Sequence, residues 1–255
     1  MERSGDHYSH GHHESVLRSH RWRTVENSAA YLSHLLTPGT SVLDIGCGPG
    51  TITLDFAARV APGRVTGIDA SAEIIEKATA LAAEDDLDNV EFVVGNGYEL
   101  PFADNSFDIV HAHQVLQHVS NPVKMLREMR RVRKANGVVA VREVDYGGCF
   151  WSPDLPGLTV WQDLVRNVQR SNDGDPDAGR ALKSWARAAG FAEVHSTASI
   201  WAFNSELDRE WWGGMWEARI LQSAIAVDAI DEGFASQDDL IDISRAWRDW
   251  INDPD

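Results

Sequence analysis

The stretch Val42-Leu43-Asp44-Ile45-Gly46-Cys47-Gly48-Pro49-Gly50 decides the fold. It reads as a short apolar strand running into a glycine-rich turn, with a predicted helix from Thr51 to Val60 directly after it. Glycine lets the backbone approach a ligand closely, and the first turn of a helix leaves N–H groups without intrahelical partners. Together they make a seat for an anionic group of a nucleotide-like cofactor. The next predicted strand, Arg64-Val65-Thr66-Gly67-Ile68-Asp69, ends in an acid nineteen residues after Gly50. A carboxylate there is placed to hold a ribose diol.

Outward from this pair, the pattern predicts strands at 41–45, 64–68, 90–95, 107–112 and 137–144, with helices at 51–60, 72–84 and 122–133. Strands alternating with helices imply right-handed crossovers, hence a Rossmann-like α/β fold with a doubly wound, mostly parallel sheet. Upstream, a helical pattern runs from about Glu14 to Leu36 and stops at Pro38-Gly39. After Tyr146 the character changes, and nine of the ten tryptophans lie from Trp151 onward. Helices are predicted at 157–171, 178–189, 206–227 and 237–251, and a strand at 191–203. Leu240, Ile243, Trp247 and Trp250 recur at helical spacing. The expected organisation is an N-terminal lid segment and helix (1–36), a cofactor-binding core (37–150) and a helical, Trp-rich acceptor-side region (151–255) that completes the same domain.

Three ordered motifs carry a family resemblance. They are VLDIGCGPG (42–50), VTGIDAS (65–71) and NVEFVVGNGYELPFADNSFDIVHAHQVLQHV (89–119). The chain resembles a class I S-adenosylmethionine-dependent methyltransferase of the ubiquinone/menaquinone-methyltransferase-like group over roughly residues 40–145. The resemblance implies S-adenosyl-L-methionine as cofactor and S-adenosyl-L-homocysteine as product. It implies in-line methyl transfer to oxygen, nitrogen or carbon of a small-molecule acceptor. It also implies a closing antiparallel seventh strand, for which the residues after 203 offer no candidate.

With 255 residues and 43% hydrophobic content, the chain suits one α/β domain with additions. The apolar runs fall far short of a membrane span, and the first fourteen residues have no apolar signal core. Cys47 and Cys149 give no disulfide framework, so a cytoplasmic protein is expected. The net charge of −16 disfavours nucleic acid as a partner and leaves a homodimer open. From Asn204 to Asp255 there are 13 acids against 4 arginines, read as a solvated, solubilising face.

The expected cofactor contacts follow the motifs. Asp44 takes the methionine ammonium, directly or through water, or else caps the turn. Gly46, Gly48 and Gly50 pass close under the ligand, and Cys47 between them packs. Asp69 holds both ribose hydroxyls, with Ala70 and Ser71 flanking the adenine. Asn96 stands where the family often has an acid toward the adenine amino group, between Gly95 and Gly97. Ala112, His113 and Gln114 fall at the carboxyl end of the fourth strand, where ligands bind in such sheets. Tyr8 and His13 are expected to close over the cofactor as a lid, against the alternative of a frayed tail. His113 is the first candidate general base, followed by Asp145 and Tyr146; His118 reads as a packed histidine. No residue set reads as a metal site.

Two rivals stand beside this reading. A nicotinamide-dependent oxidoreductase also needs a glycine turn and an acid, although here the turn is G-x-G-x-G rather than G-x-G-x-x-G. A non-catalytic cofactor-binding protein would keep the same motifs.

Overall fold

The computed structural model describes residues 22–254. Five strands form one parallel sheet in the order β3-β2-β1-β4-β5: β1 Val42–Ile45, β2 Val65–Asp69, β3 Val90–Val94, β4 Phe107–His113 and β5 Arg133–Arg142. Helices α1 (Val25–Ser28), α2 (Thr51–Val60), α3 (Ala72–Glu84) and α4 (Pro122–Val132) belong to this half. Beyond β5 come α5 (Pro156–Ser171), α6 (Ala178–Ala188), α7 (Glu206–Gln222), α8 (Ala224–Asp231) and α9 (Gln237–Asn252).

All four residues of β1 are buried, as expected for a central strand covered on both faces. Side chains alternate along a strand, so its residues divide between two cores. Val42 joins Val25, Leu32, Phe56, Val60 and Ile109 on one face. Leu43 and Ile45 join Val110, Met125, Leu126 and Met129 on the other. Asp44 therefore points to the α1/α2 face, where β1 pairs it with His111 of β4. Local chemistry sets the helix starts. The Ser71 hydroxyl accepts the Ile74 N–H at α3, and Asn121 accepts the Lys124 N–H ahead of Pro122 at α4.

The Trp-rich half has its own core. Trp161, Leu164 and Val168 of α5 pack with Met215, Trp216 and Ile220 of α7 and with Leu240, Ile243, Trp247 and Trp250 of α9. Trp161 meets Trp216 and Trp247 edge-on at 4.7 and 4.8 Å between ring centroids.

Four expected elements differ. Residues 191–203 form no strand. Their apolar residues are spent differently: Phe191 packs into the sheet core, while Trp201 and Phe203 meet Trp22. The helix expected over 206–227 breaks at Ser223, whose extended backbone (ψ 176°) ends α7 and starts α8. β5 begins at Arg133, directly after α4, rather than at 137. The described part of the 14–36 helix is only α1 followed by a 3₁₀ segment, Ala30–Leu35; the rest lies outside the described residues. Among the described residues, no helix is long and apolar enough to cross a membrane.

Candidate active site

The carboxyl ends of β1, β2, β4 and β5 open into one continuous cleft of about 2590 Å³. The glycine turn forms one wall. Gly46, Gly48 and Gly50 all have left-handed backbone, with φ of 64°, 56° and 89°. At Gly46 a Cβ would also strike the Val115 side chain at 2.4 Å. Gly46 and Gly48 line the cleft. Gly50 does not: it heads α2, and its missing Cβ makes room for the Phe92 ring.

Asp69, at the end of β2, holds the turn from the other side. Its carboxylate accepts the Gly48 N–H at 3.1 Å and the Ser71 N–H at 3.0 Å. A carboxylate has about four acceptor positions, so about two remain, and Asp69 lines the cleft. Ala70 and Ser71 line the same wall. The Asn96 side-chain carbonyl accepts the Tyr98 N–H, and the residue lines the cleft. Gly95 and Gly97 line the cleft too, and a Cβ on them would strike Ile68 and Met125 respectively.

Asp44 is not a turn cap. One oxygen accepts the Thr53 hydroxyl at 2.6 Å; the other lies 2.7 Å from His111 Nδ1. Since a carboxylate only accepts, Nδ1 carries the proton. Cys47 is inert: burial, with the charges of Asp44 and Asp69 added, pushes its thiol far above the ordinary range.

The far wall is built by β4, β5 and the aromatic segment. His113 is 5% exposed, stacks parallel to His111 and faces Trp201 at 5.8 Å. Ala112 is wholly buried in the sheet core and lines nothing. Gln114 has a left-handed backbone (φ 55°) and accepts a 2.6 Å hydrogen bond from Arg23. Trp22, Trp201, Phe203 and Trp212 line the cleft, and Phe203 stacks on Trp212 at 4.4 Å. The tryptophans thus serve both as core and as cleft wall.

The two lesser base candidates also line the cleft, each with a partner of its own. Asp145 is clasped by Arg180 through two hydrogen bonds of 2.7 and 2.5 Å. Tyr146 is buried in the Trp-rich core, its ring against Trp161. His118 contacts Gln117, and burial, with the charge of Arg23 added, lowers it to about 3, so it stays neutral. Tyr8 and His13 lie outside the described residues.

One cleft residue goes unnoticed in the sequence. Glu143 accepts the backbone N–H groups of Val115, Leu116 and Gln117, and so holds the loop after His113. Burial pushes its carboxyl up to about 7 against those hydrogen bonds. Its signal is positional: it follows β5, as Gln114 follows β4.

Residues 36–197 match the family described as Methyltransferase domain. The chain is 36% identical over 256 residues to an uncharacterized methyltransferase of Schizosaccharomyces pombe, covering 96% of this chain and 90% of that one. It is 39% identical over 120 residues to a demethylmenaquinone methyltransferase of Listeria monocytogenes, about half of each chain. A SAM-dependent methyltransferase structure from Aquifex aeolicus superposes with a TM-score of 0.51 at 22% identity, covering 65% of this chain and 81% of that one. The G-x-G-x-G turn, the spare acceptor capacity of Asp69 and the Asn96 amide fit that cofactor, and the nicotinamide and non-catalytic readings fall away. The chain belongs to the methyltransferase family and is an S-adenosylmethionine-dependent enzyme.

Proposed function

We propose that this enzyme methylates a small organic acceptor held between the glycine turn and the tryptophan wall, with His113 as general base. The observation that carries the reading is the position of His113, buried at the end of β4, lining the cleft and facing Trp201. When bound, S-adenosylmethionine supplies a sulfonium-activated methyl group. Asp69 would hold the ribose hydroxyls, Asn96 the adenine edge, and the Gly46–Gly48 backbone the methionine portion. Asp44 would reach the ammonium through a bridging water, since His111 and Thr53 occupy its nearest positions.

The remaining residues exclude water and orient the acceptor. Trp201, Phe203 and Trp212 offer flat apolar surface, and desolvation there sharpens both the nucleophile and any proton transfer to a ring nitrogen of His113. The net charge of −16 weighs against nucleic acid as acceptor. A cytoplasmic location belongs to the same reading.

The test is a screen of phenols, hydroquinones, amines and enolic acids with methyl-labelled S-adenosylmethionine. Label in a small-molecule product supports the proposal. Label found only in protein or nucleic acid overturns it.

A further inference from the structure

Resting on that reading of the cleft, we infer that Arg142 and Tyr31 anchor a negatively charged oxygen, carboxylate or phenolate, on a flat aromatic acceptor. Arg142 ends β5 and is the direct register partner of His113 in the β4–β5 ladder. In a parallel ladder, register partners point to the same face, so cation and imidazole stand side by side. Both face Trp201: the guanidinium carbon lies 4.4 Å from its ring centroid, and the imidazole 5.8 Å. An anionic oxygen held by Arg142 therefore delivers the acceptor beside His113.

The guanidinium is oriented but not neutralised. Nε donates to Ser199 Oγ at 3.0 Å and the guanidinium carbon sits over the Trp201 ring. Among the described residues it forms no ion pair, whereas Arg59, Arg131, Arg166, Arg170, Arg180, Arg245 and Arg248 each have a carboxylate. The adjacent acid, Glu143, spends its oxygens on three backbone N–H groups. Among the described residues this half-buried guanidinium has no carboxylate in contact, which is costly, and burial lowers the Arg142 pKa against the opposing pull of Tyr31 and Glu143.

Tyr31 adds an independent observation. Its hydroxyl is buried without a hydrogen-bond partner, and the residue lines the cleft. It packs against the same core as Ala140, two residues before Arg142 on the same face of β5. A buried hydroxyl without a partner calls for a ligand. One anionic oxygen pair satisfies both groups: the guanidinium offers a planar fork and the phenol one further donor. The flanking surface from Trp201, Phe203 and Trp212 suits a ring rather than an aliphatic chain.

The cofactor's own carboxylate is the other source of such an anion. It would sit at the glycine turn after β1, whereas Arg142 is two strands away, about 10 Å at sheet spacing. The experiment separates the two. Calorimetry would compare 2-naphthoate with neutral 2-naphthamide on protein saturated with adenosylhomocysteine, in wild type, Arg142→Met, Arg142→Lys and Tyr31→Phe. A second titration would measure adenosylhomocysteine alone on each.

Wild type should prefer the naphthoate about tenfold to a hundredfold, the range of hydrogen bonds to a charged group. Arg142→Met should abolish that preference, and Arg142→Lys and Tyr31→Phe should reduce it, with adenosylhomocysteine affinity unchanged in all three. Equal binding of both probes to wild type, or a preference kept in Arg142→Met, overturns the inference. So does a loss of adenosylhomocysteine affinity in a folded Arg142→Met or Arg142→Lys protein, which assigns the anion to the cofactor. Failure of wild type to bind adenosylhomocysteine would instead strike the methyl-transfer reading itself.

Discussion

His111 Nδ1 lies 2.7 Å from Asp44 Oδ1, both groups buried, with Thr53 on the second carboxylate oxygen. The acid at the end of β1 is thus fixed by a strand and a helix that meet only in the folded chain. Removing one partner leaves a buried carboxylate undersatisfied, at a cost of about 1–3 kcal/mol. His111→Leu should lower the unfolding free energy by that amount, read as a lower urea midpoint, and weaken adenosylhomocysteine binding, with a smaller loss for Thr53→Val. Wild-type midpoints in both variants would show that the network carries no stability.

Asp69 joins the glycine turn to the start of α3 through Gly48 and Ser71. Asp69→Ala should raise the adenosylhomocysteine Kd about tenfold to a hundredfold, since hydrogen bonds to a charged acceptor contribute about 1.5–3 kcal/mol. Calorimetry on the folded variant measures it. An unchanged Kd removes Asp69 from the site.

His113→Ala should cut turnover about 10²–10⁴-fold, the usual contribution of a general base, while sparing cofactor affinity. Loss of cofactor affinity in place of turnover would make His113 a wall residue.

Gln114 holds a left-handed backbone while its side chain receives Arg23. Gln114→Gly relieves a strain of about 1 kcal/mol and loses that contact. Expected is equal or higher thermal stability with lower kcat/KM. Reduced stability would mean that the Arg23 contact outweighs the backbone strain.

Glu143 gives a pH signature. Its carboxyl is raised from 4.5 to about 7 by burial, so the folded chain binds more protons than the unfolded one between those values. Stability from this group is full below pH 4.5 and falls as pH rises through about 7, with a slope of at most about 1.4 kcal/mol per pH unit. Urea unfolding across pH 5–8 should show the decline, flattened in Glu143→Gln. A slope that Glu143→Gln leaves unchanged would falsify the assignment.

The parallel sheet and the glycine turn were legible because their signals are local: apolar strand runs, helix starts, and glycines at positions of left-handed backbone. The partners of Asp44 were not, because His111 is 67 residues away and arrives by β1–β4 pairing. Residues 191–203 alternate in a way that suits a strand, but a strand exists only where a ladder forms, and their aromatic rings pack against Trp22 instead. Ser223 inside the expected 206–227 helix was the overlooked stop signal; an extended serine ends one helix and opens the next. Asp145 and Tyr146 after β5 line the cleft, but their partners Arg180 and Trp161 come from distant segments that the local sequence does not reveal. Glu143 and Arg142, immediately upstream, face the cleft.

The separate cores of the sheet and of the Trp-rich helices have an evolutionary consequence. A change at Trp161, Trp216 or Trp247 is felt mainly by the other members of its own cluster, while the strands that seat the cofactor are braced by different side chains. Effects of substitutions in groups that share no contacts largely add. A lineage built on this plan can therefore drift in what it methylates while its methyl-donor machinery stays under constant selection.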